Sequence, residues 1–271
     1  MRIAVTKPGL YVLRASQLAP LMELRTSAAT SLIRSGRLAL TNQGHRVAVL
    51  AARDGSALYF YGEAISTPYT STNIYYLGRG RATVIQRTSP AVSGTPATSF
   101  TDTVHVEKNL RPMPAKFHDP VGDFWLWNYE VAGSRTPTFE IDAPSPEAGR
   151  TLRVSLLGLD DTGTPNEHHV RVTLNGVTLG DVRFAGATPA TASFTIPAGV
   201  LNAGANTVTV SGILDTGAPY SMVAVDSFDL TYTRSADAVD DQLMLDAATA
   251  GPRRVTGLAA GPGWVFDVTD P

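Results

Sequence analysis

Few residues in this chain have the types and spacing that catalysis needs. Cysteine is absent, which excludes thiolate nucleophiles, thiolate metal sites and disulfides together. The histidines are His45, His105, His118, His168 and His169. They include no His-Glu-x-x-His pair and no spacing that reads as zinc ligation. His168 and His169 are neighbours on an expected strand, so they face opposite sides and do not easily chelate together. No Gly-x-Ser-x-Gly elbow presents a serine, and no glycine-rich loop is built to cradle phosphate. Gly78-Arg79-Gly80-Arg81 reads as a solvated basic loop. The acid pairs Asp160/Asp161, Asp240/Asp241 and Asp226/Asp229 show no division into acid and nucleophile of the kind glycoside hydrolysis requires. These observations lead to the expectation that the chain is not an enzyme.

Two constellations remain. Glu107 lies on the opening strand of an expected sandwich and Asp226 on its last strand. If those strands meet at one edge, the two carboxylates could help hold a structural Ca2+, which takes several oxygen ligands; the competing reading is a surface acid paired with Arg234. The second constellation is aromatic. Trp125, Trp127 and Tyr129 share one parity, with Phe124 and Leu126 on the other. An exposed row of this kind could stack on the rings of a surface glycan; the competing reading buries both faces.

The elements that must position these residues read as mainly β. Residues 2–14 form a broken hairpin around Lys7-Pro8-Gly9. Residues 16–34 carry one loosely helical spacing, with Ser16 as N-cap, Pro20 in the first turn and Gly36 as the stop. Short strands follow, separated by Asn42-Gln43-Gly44 and Asp54-Gly55. Residues 88–99 contain no charge and read as extended linker. From 100 to 233 the chain alternates apolar and polar residues with period two, and Asn175-Gly176 marks a tight type I′ hairpin. Strands at regular spacing, with no helical pattern, imply an antiparallel jelly-roll β-sandwich. In the last strand Val223 and Val225 share one parity but Phe228, Leu230 and Tyr232 share the other, so a bulge is expected near Asp226-Ser227.

The expected organisation is a small β-rich domain with one helix at 1–90, a linker at 91–99, the sandwich at 100–234, and a connector at 235–271 leading toward a further domain. Of the 271 residues, 43% are apolar and 17% charged, enough to build a core. No apolar run is long enough to span a membrane. Charge is divided unequally. Residues 1–90 hold eleven Lys/Arg against three acids, and residues 91–271 hold eleven against twenty-one, a split that signals two units. The arginines of the first part are scattered, with no interleaved aromatics, which argues against nucleic acid as a partner. The N-terminal Met1-Arg2-Ile3-Ala4-Val5 has no h-region of a signal peptide.

The order of several motifs resembles the region upstream of the catalytic domain in gingipain-like (family C25) cysteine peptidases and in sortase-like peptidases of type IX secretion. These motifs are Gly9-Leu10-Tyr11-Val12-Leu13, Leu58-Tyr59-Phe60-Tyr61-Gly62, His105-Val106-Glu107, Trp125-Leu126-Trp127, His168-His169-Val170, Leu174-Asn175-Gly176, Asp226-Ser227-Phe228-Asp229-Leu230-Thr231-Tyr232 and Trp264-Val265-Phe266-Asp267-Val268. The resemblance implies a non-catalytic accessory region that packs on, chaperones or latches a downstream caspase-like peptidase domain. It further implies an extracellular or cell-surface location, with the leader upstream of Met1 and the catalytic residues beyond Pro271. The sandwich also resembles galactose-binding-like carbohydrate modules, which often hold calcium at the Glu107/Asp226 edge. Two alternatives are an extracellular glycan- or surface-binding module and a structural spacer.

Overall fold

A computed structural model of the chain describes residues 1–67, 69–86, 93–116, 123–245, 251–259 and 264–268. His118 lies outside them, as do parts of the expected linker and connector. The fold divides into two compact units, Met1–Ala91 with Trp264–Pro271, and Val92–Gly263.

Unit 1 contains β1 (Arg2–Val5), β2 (Gly9–Arg14), α1 (Ala15–Leu21), α2 (Thr26–Arg34), β3 (Leu38–Asn42), β4 (His45–Ala51), β5 (Ala57–Gly62), β6 (Asn73–Arg79) and β7 (Thr83–Val84). Its sheet has the order β1-β6-β3-β4-β5-β2, with β7 parallel to β4. Period-two alternation puts Leu38, Leu40, Val47, Val49, Leu58, Phe60, Tyr75 and Leu77 on the face that packs against Leu18 and Ala19 of α1 and Ala29 and Ile33 of α2. Phe60 centres this core, its ring 5.5 Å from Tyr11 and 5.3 Å from Tyr75. On the opposite face of β5, Trp264 stacks on Tyr59 and on Phe266.

The single helix expected from 16 to 34 is two. α1 starts at Ala15, two residues earlier than a Ser16 cap allows, and the Arg14 amide donates to Gln17 Oε1. Pro20 therefore falls in the second turn, where it offers no N–H to Ser16, and the helix stops one residue later. Glu23 then adopts φ 56°, and the amides of Glu23 and Leu24 donate to Pro20 O and Ala19 O. That is a Schellman closure with glutamate in the position glycine usually takes. α2 closes the same way through Gly36 at φ 63°.

Unit 2 contains β8 (Ser99–Glu107), β9 (Arg111–Pro112), a 3-10 turn (Pro114–Lys116), β10 (Trp125–Leu126), β11 (Asn128–Val131), β12 (Thr138–Ala143), β13 (Pro146–Gly158), β14 (His168–Leu174), β15 (Val177–Phe184), β16 (Pro189–Thr195), β17 (Gly204–Gly212) and β18 (Met222–Ser235). Two antiparallel sheets form a jelly-roll sandwich. One has the order β11-β18-β13-β16 with β8 also on β18; the other is β12-β17-β14-β15. Leu152, Val154 and Leu156 of β13 and Phe228, Leu230 and Tyr232 of β18 meet Val170, Val172, Val208 and Val210 of the opposite sheet. The Asn175-Gly176 hairpin forms as expected, with φ 50° and 81°. Asn175 also ties down the loop that leads into β17: its amide nitrogen donates to Val200 O and Asn206 Oδ1, each at 2.8 Å.

The expected bulge is present. Val154 pairs with Phe228 and Leu156 with Val225, so Asp226 and Ser227 together face Ser155. The reason lies on the other edge of β18. Asn128–Val131 pair with Met222–Val225, whereas Ser99–Glu107 pair with Ser227–Ser235. The edge partner changes at Asp226.

Trp127 occupies the gap between β10 and β11. There its amide donates to Val225 O at 2.9 Å. Its ring is buried edge-on against Phe139 at 5.0 Å and Phe228 at 5.7 Å, and those two rings lie 5.0 Å apart. The three aromatics couple both sheets. Trp127→Ala should therefore lower the unfolding free energy by about 3–5 kcal/mol, the range for removing a buried aromatic. Denaturant unfolding measures it, and a loss below 1 kcal/mol would place Trp127 outside the core.

Candidate functional site

The bulge brings polar chemistry to one edge. Cross-strand register sets His105 opposite Asp229 and Glu107 opposite Ser227. His105 Nδ1 lies 2.6 Å from Asp229 Oδ1 and Nε2 lies 3.3 Å from Glu107 Oε2. Partial burial alone would lower this imidazole; the hydrogen bonds and charges of Asp229 and Glu107 outweigh it and hold it above the usual histidine range. Asp226 sits next to this set. Burial pushes its carboxyl up, as does repulsion from Glu107 and Asp123, while the Ser227 hydroxyl at 3.1 Å partly offsets the shift.

Glu107 and Asp226 do become neighbours, as a calcium site requires, but the surroundings do not complete one. Glu107 is engaged by His105, and among the described residues no group of three or more His, Asp or Glu side chains could hold a metal. Ca2+ takes six to eight oxygens; at this edge Asp229 and Glu107 are engaged by His105, and Asp226 is repelled by Glu107 and Asp123. Arg234, the competing partner considered for Asp226, instead donates to Asp102 Oδ2 at 2.9 Å.

The aromatic row is not a continuous face. Trp127 is in the core, which excludes it from glycan stacking. Trp125 is half-buried, its ring 5.8 Å from Phe124. Tyr129 is half-buried with the Arg135 guanidinium 4.4 Å from its ring centre, so a cation already covers it. The three residues do not share a face because the strand is interrupted at Trp127.

His168 and His169 do take opposite faces. His168 is fully buried, with Nδ1 2.8 Å from Ser221 Oγ and Nε2 3.2 Å from Gly186 O. His169 bridges Asp215 at 2.8 Å and Asp181 at 3.0 Å. Arg171 grips Asp181 with two bonds and Arg183 pairs with Asp215. The Arg171 bonds chiefly, helped by His169, hold the Asp181 carboxyl down at about 2. This is an ionic lattice that joins β14 and β15 to the segment after β17, with each charge already answered.

Two buried glutamates escaped the reading of the sequence, and their states are opposite. Glu167 is fully buried. Burial pushes its carboxyl up, but the Thr162 amide and hydroxyl and the Gly186 amide all donate to it, and they bring it below the usual range. Glu130 is also fully buried, yet neither carboxylate oxygen has a hydrogen-bond partner among the described residues. It is wedged between β18 and Gly212 of β17, where a Cβ on Gly212 would overlap the carboxylate. Burial, joined by the charge of Asp160, raises it to about 8, although the nearby Gly212 and Val223 amides pull the other way. No local pattern in Asn128-Tyr129-Glu130-Val131 sets Glu130 apart from an ordinary outward-facing glutamate.

No family model matches the chain, and no curated protein matches it in sequence. Among solved structures it is similar to dimeric latent PorU from Porphyromonas gingivalis, with TM-score 0.64 and 13% identity, covering 89% of this chain and 25% of that one. The chain thus spans a quarter of that protein, and the likeness shows a shared fold. A family 35 carbohydrate-binding module from an environmental isolate aligns at TM-score 0.32 and 17% identity over 49% of this chain and 88% of its own. The module CBM36, in complex with calcium and xylotriose, aligns at TM-score 0.29 and 14% identity over 47% and 98%. Likenesses this low carry no argument about ligands.

Two outcomes follow from the site. Glu130 keeps its proton in the folded state up to about pH 8, whereas the unfolded chain releases it at the ordinary value for glutamate. Wild type should therefore lose stability relative to Glu130→Gln as pH rises from about 4.5 toward 8, by up to about 1.4 kcal/mol per unit. Below about 4.5 the gap between the two should be constant. Denaturant unfolding from pH 4 to 9 reads this gap, and a gap independent of pH would refute the buried neutral carboxyl.

Asp226→Asn removes a charge that the fold disfavours. It should raise the melting midpoint at neutral pH equally with chelator and with millimolar calcium. A variant that melts below wild type only when calcium is present would instead establish an ion at this edge.

Proposed function

We propose that this chain is the non-catalytic accessory region of a secreted or surface cysteine peptidase of the gingipain-like class, packing on, chaperoning or holding latent a downstream caspase-like domain. One observation carries the reading: a fold shared across 89% of the chain with a quarter of PorU, reached independently of the motif order that pointed the same way. The composition agrees with it, because a chain without cysteine supplies no thiolate nucleophile of its own.

The chemistry of the described site supports a scaffolding role. His169, Asp181, Asp215, Arg171 and Arg183 are committed to one another. His168 and Glu167 are sealed in the interior, and Glu130 is a neutral acid with no route to solvent. Groups so placed hold loops and sheets in register; none is presented to a substrate. In this reading the sandwich is a rigid body whose value to a peptidase is shape and surface, and the location follows the peptidase to the cell exterior.

The test is to supply a separately produced caspase-like domain from the same protein in trans. The expected result is a stable complex with a several-fold change in peptide turnover, a fall if the role is latency and a gain if it is chaperoning. No complex and unchanged turnover would overturn the proposal. If, in addition, the chain were retained on a glycan array and Trp125→Ala abolished that retention, the glycan-binding reading would replace it.

A further inference from the structure

The positive charge of the N-terminal stretch is largely unanswered within that stretch. Residues 1–90 carry eleven Lys/Arg against three acids. Among the described residues of 1–86 no ion pair joins two side chains. Exposed arginines can stay solvated singly, but here three line one concavity. Arg37, Arg79 and Arg81, with Leu32 and Ser35 of the α2 end, bound an open cleft of about 580 Å3.

The backbone fixes this arrangement. Arg79 lies opposite Leu38 in the β3–β6 register. The Gly80 amide donates to Arg37 O at 3.1 Å, and the Ala82 amide to Gly36 O at 2.9 Å. The segment that seemed a loose basic loop is thus tied to the end of α2 on both sides of Arg81.

The end of a helix normally offers carbonyl oxygens, which repel anions. Here several of those carbonyls are engaged. Leu32 O accepts from the Arg37 amide, Ile33 O from Gly36 and Ser31 O from Ser35. Arg81 O accepts from the Arg46 guanidinium at 3.2 Å. The guanidiniums of Arg37, Arg79 and Arg81, in contrast, have no hydrogen-bond or carboxylate partner among the described residues. Three unpartnered guanidiniums beside partly engaged acceptors favour an anion.

Its chemistry narrows the ligand. No aromatic side chain lines the cleft, so it has no platform on which a nucleobase could stack. A planar carboxylate is satisfied by the fork of one guanidinium. Three arginines match a tetrahedral group with several acceptor oxygens and up to two negative charges. We propose that this cleft binds a phosphate or sulfate ester group.

The ester could be carried by a sugar or by a lipid, and free phosphate shares its chemistry. Titration of the intact chain with a sulfated oligosaccharide, with phosphatidic acid vesicles against pure phosphatidylcholine, and with inorganic phosphate separates these sources. At least one probe should bind saturably and weaken with added salt. Arg79→Gln/Arg81→Gln should cut that affinity at least tenfold, and Arg2→Gln/Arg53→Gln, which removes the same charge elsewhere on unit 1, by no more than about twofold. Both variants should keep the wild-type melting midpoint, since the altered side chains are exposed. Should the first melt early, Arg37→Gln alone makes the same comparison. Equal losses in both double variants would reduce the effect to net charge and overturn the site, as would the absence of saturable binding by all three probes.

Discussion

The constraint on which unit 2 depends is that one strand must satisfy two partners along a single edge. β18 pairs with β11 through Val225 and with β8 from Ser227 onward. Both partners run antiparallel to β18, one after the other along its edge, and Asp226 between them pairs with neither. The extra residue at Asp226-Ser227 absorbs the mismatch and reverses the parity of the side chains that point inward. Val223 and Val225 before it, and Phe228, Leu230 and Tyr232 after it, all reach the same core. Trp127 belongs to the same solution. It bridges β10 and β11 and bonds to Val225 O, and it fills the space beside Phe228 where the strand turns. The bulge, the edge change and the aromatic cluster are one packing problem solved once.

Where the sandwich admits polar groups, the same rule decides each outcome: a buried charge persists only where enough donors meet it. Glu167 has three donors from Thr162 and Gly186 and stays ionised. Glu130 has none and keeps its proton. His168 divides its two nitrogens between Ser221 and Gly186. Both glutamates are closed off from solvent; what separates them is whether a turn folds its amides onto the carboxylate. Around Glu130 the strand amides of Gly212 and Val223 offset only part of the cost of burial.

Sequence was most informative where a single physical requirement acts locally. The Asn175-Gly176 hairpin needs two residues that tolerate positive φ, and it formed where expected. The phase slip in β18 was legible because side-chain parity is a strict property of a strand. It was least informative where geometry three or four residues away intervenes. Ser16 looked like a cap, but Gln17 Oε1 took the Arg14 amide instead and moved Pro20 into a position that ends the helix. Trp125, Trp127 and Tyr129 share parity only if the strand is unbroken, and a break at Trp127 sends its ring inward. Glu107 and Asp226 are near enough for their charges to interact, but Glu107 is turned to His105, which register placed between Glu107 and Asp229.

The distribution of unsatisfied charge gives the two units different roles. In unit 2 the acids outnumber the bases, yet the ionic groups on β14, β15 and the segment after β17 answer one another at 2.8–3.0 Å. Such a lattice holds its strands and leaves little free potential for a partner. Residues 1–86 have the opposite economy of charge: a neutral core beneath a surface whose arginines form no ion pair with the described residues of that stretch. Exposed guanidiniums cost little while they stay hydrated, so stability does not require them there. Their clustering at Arg37, Arg79 and Arg81, beside a helix end whose carbonyls are partly engaged, is set by the backbone but not required for stability. A feature that stability does not require is where recognition is to be sought. In this chain that feature lies away from the carboxylates, histidines and tryptophans that first drew attention as chemistry.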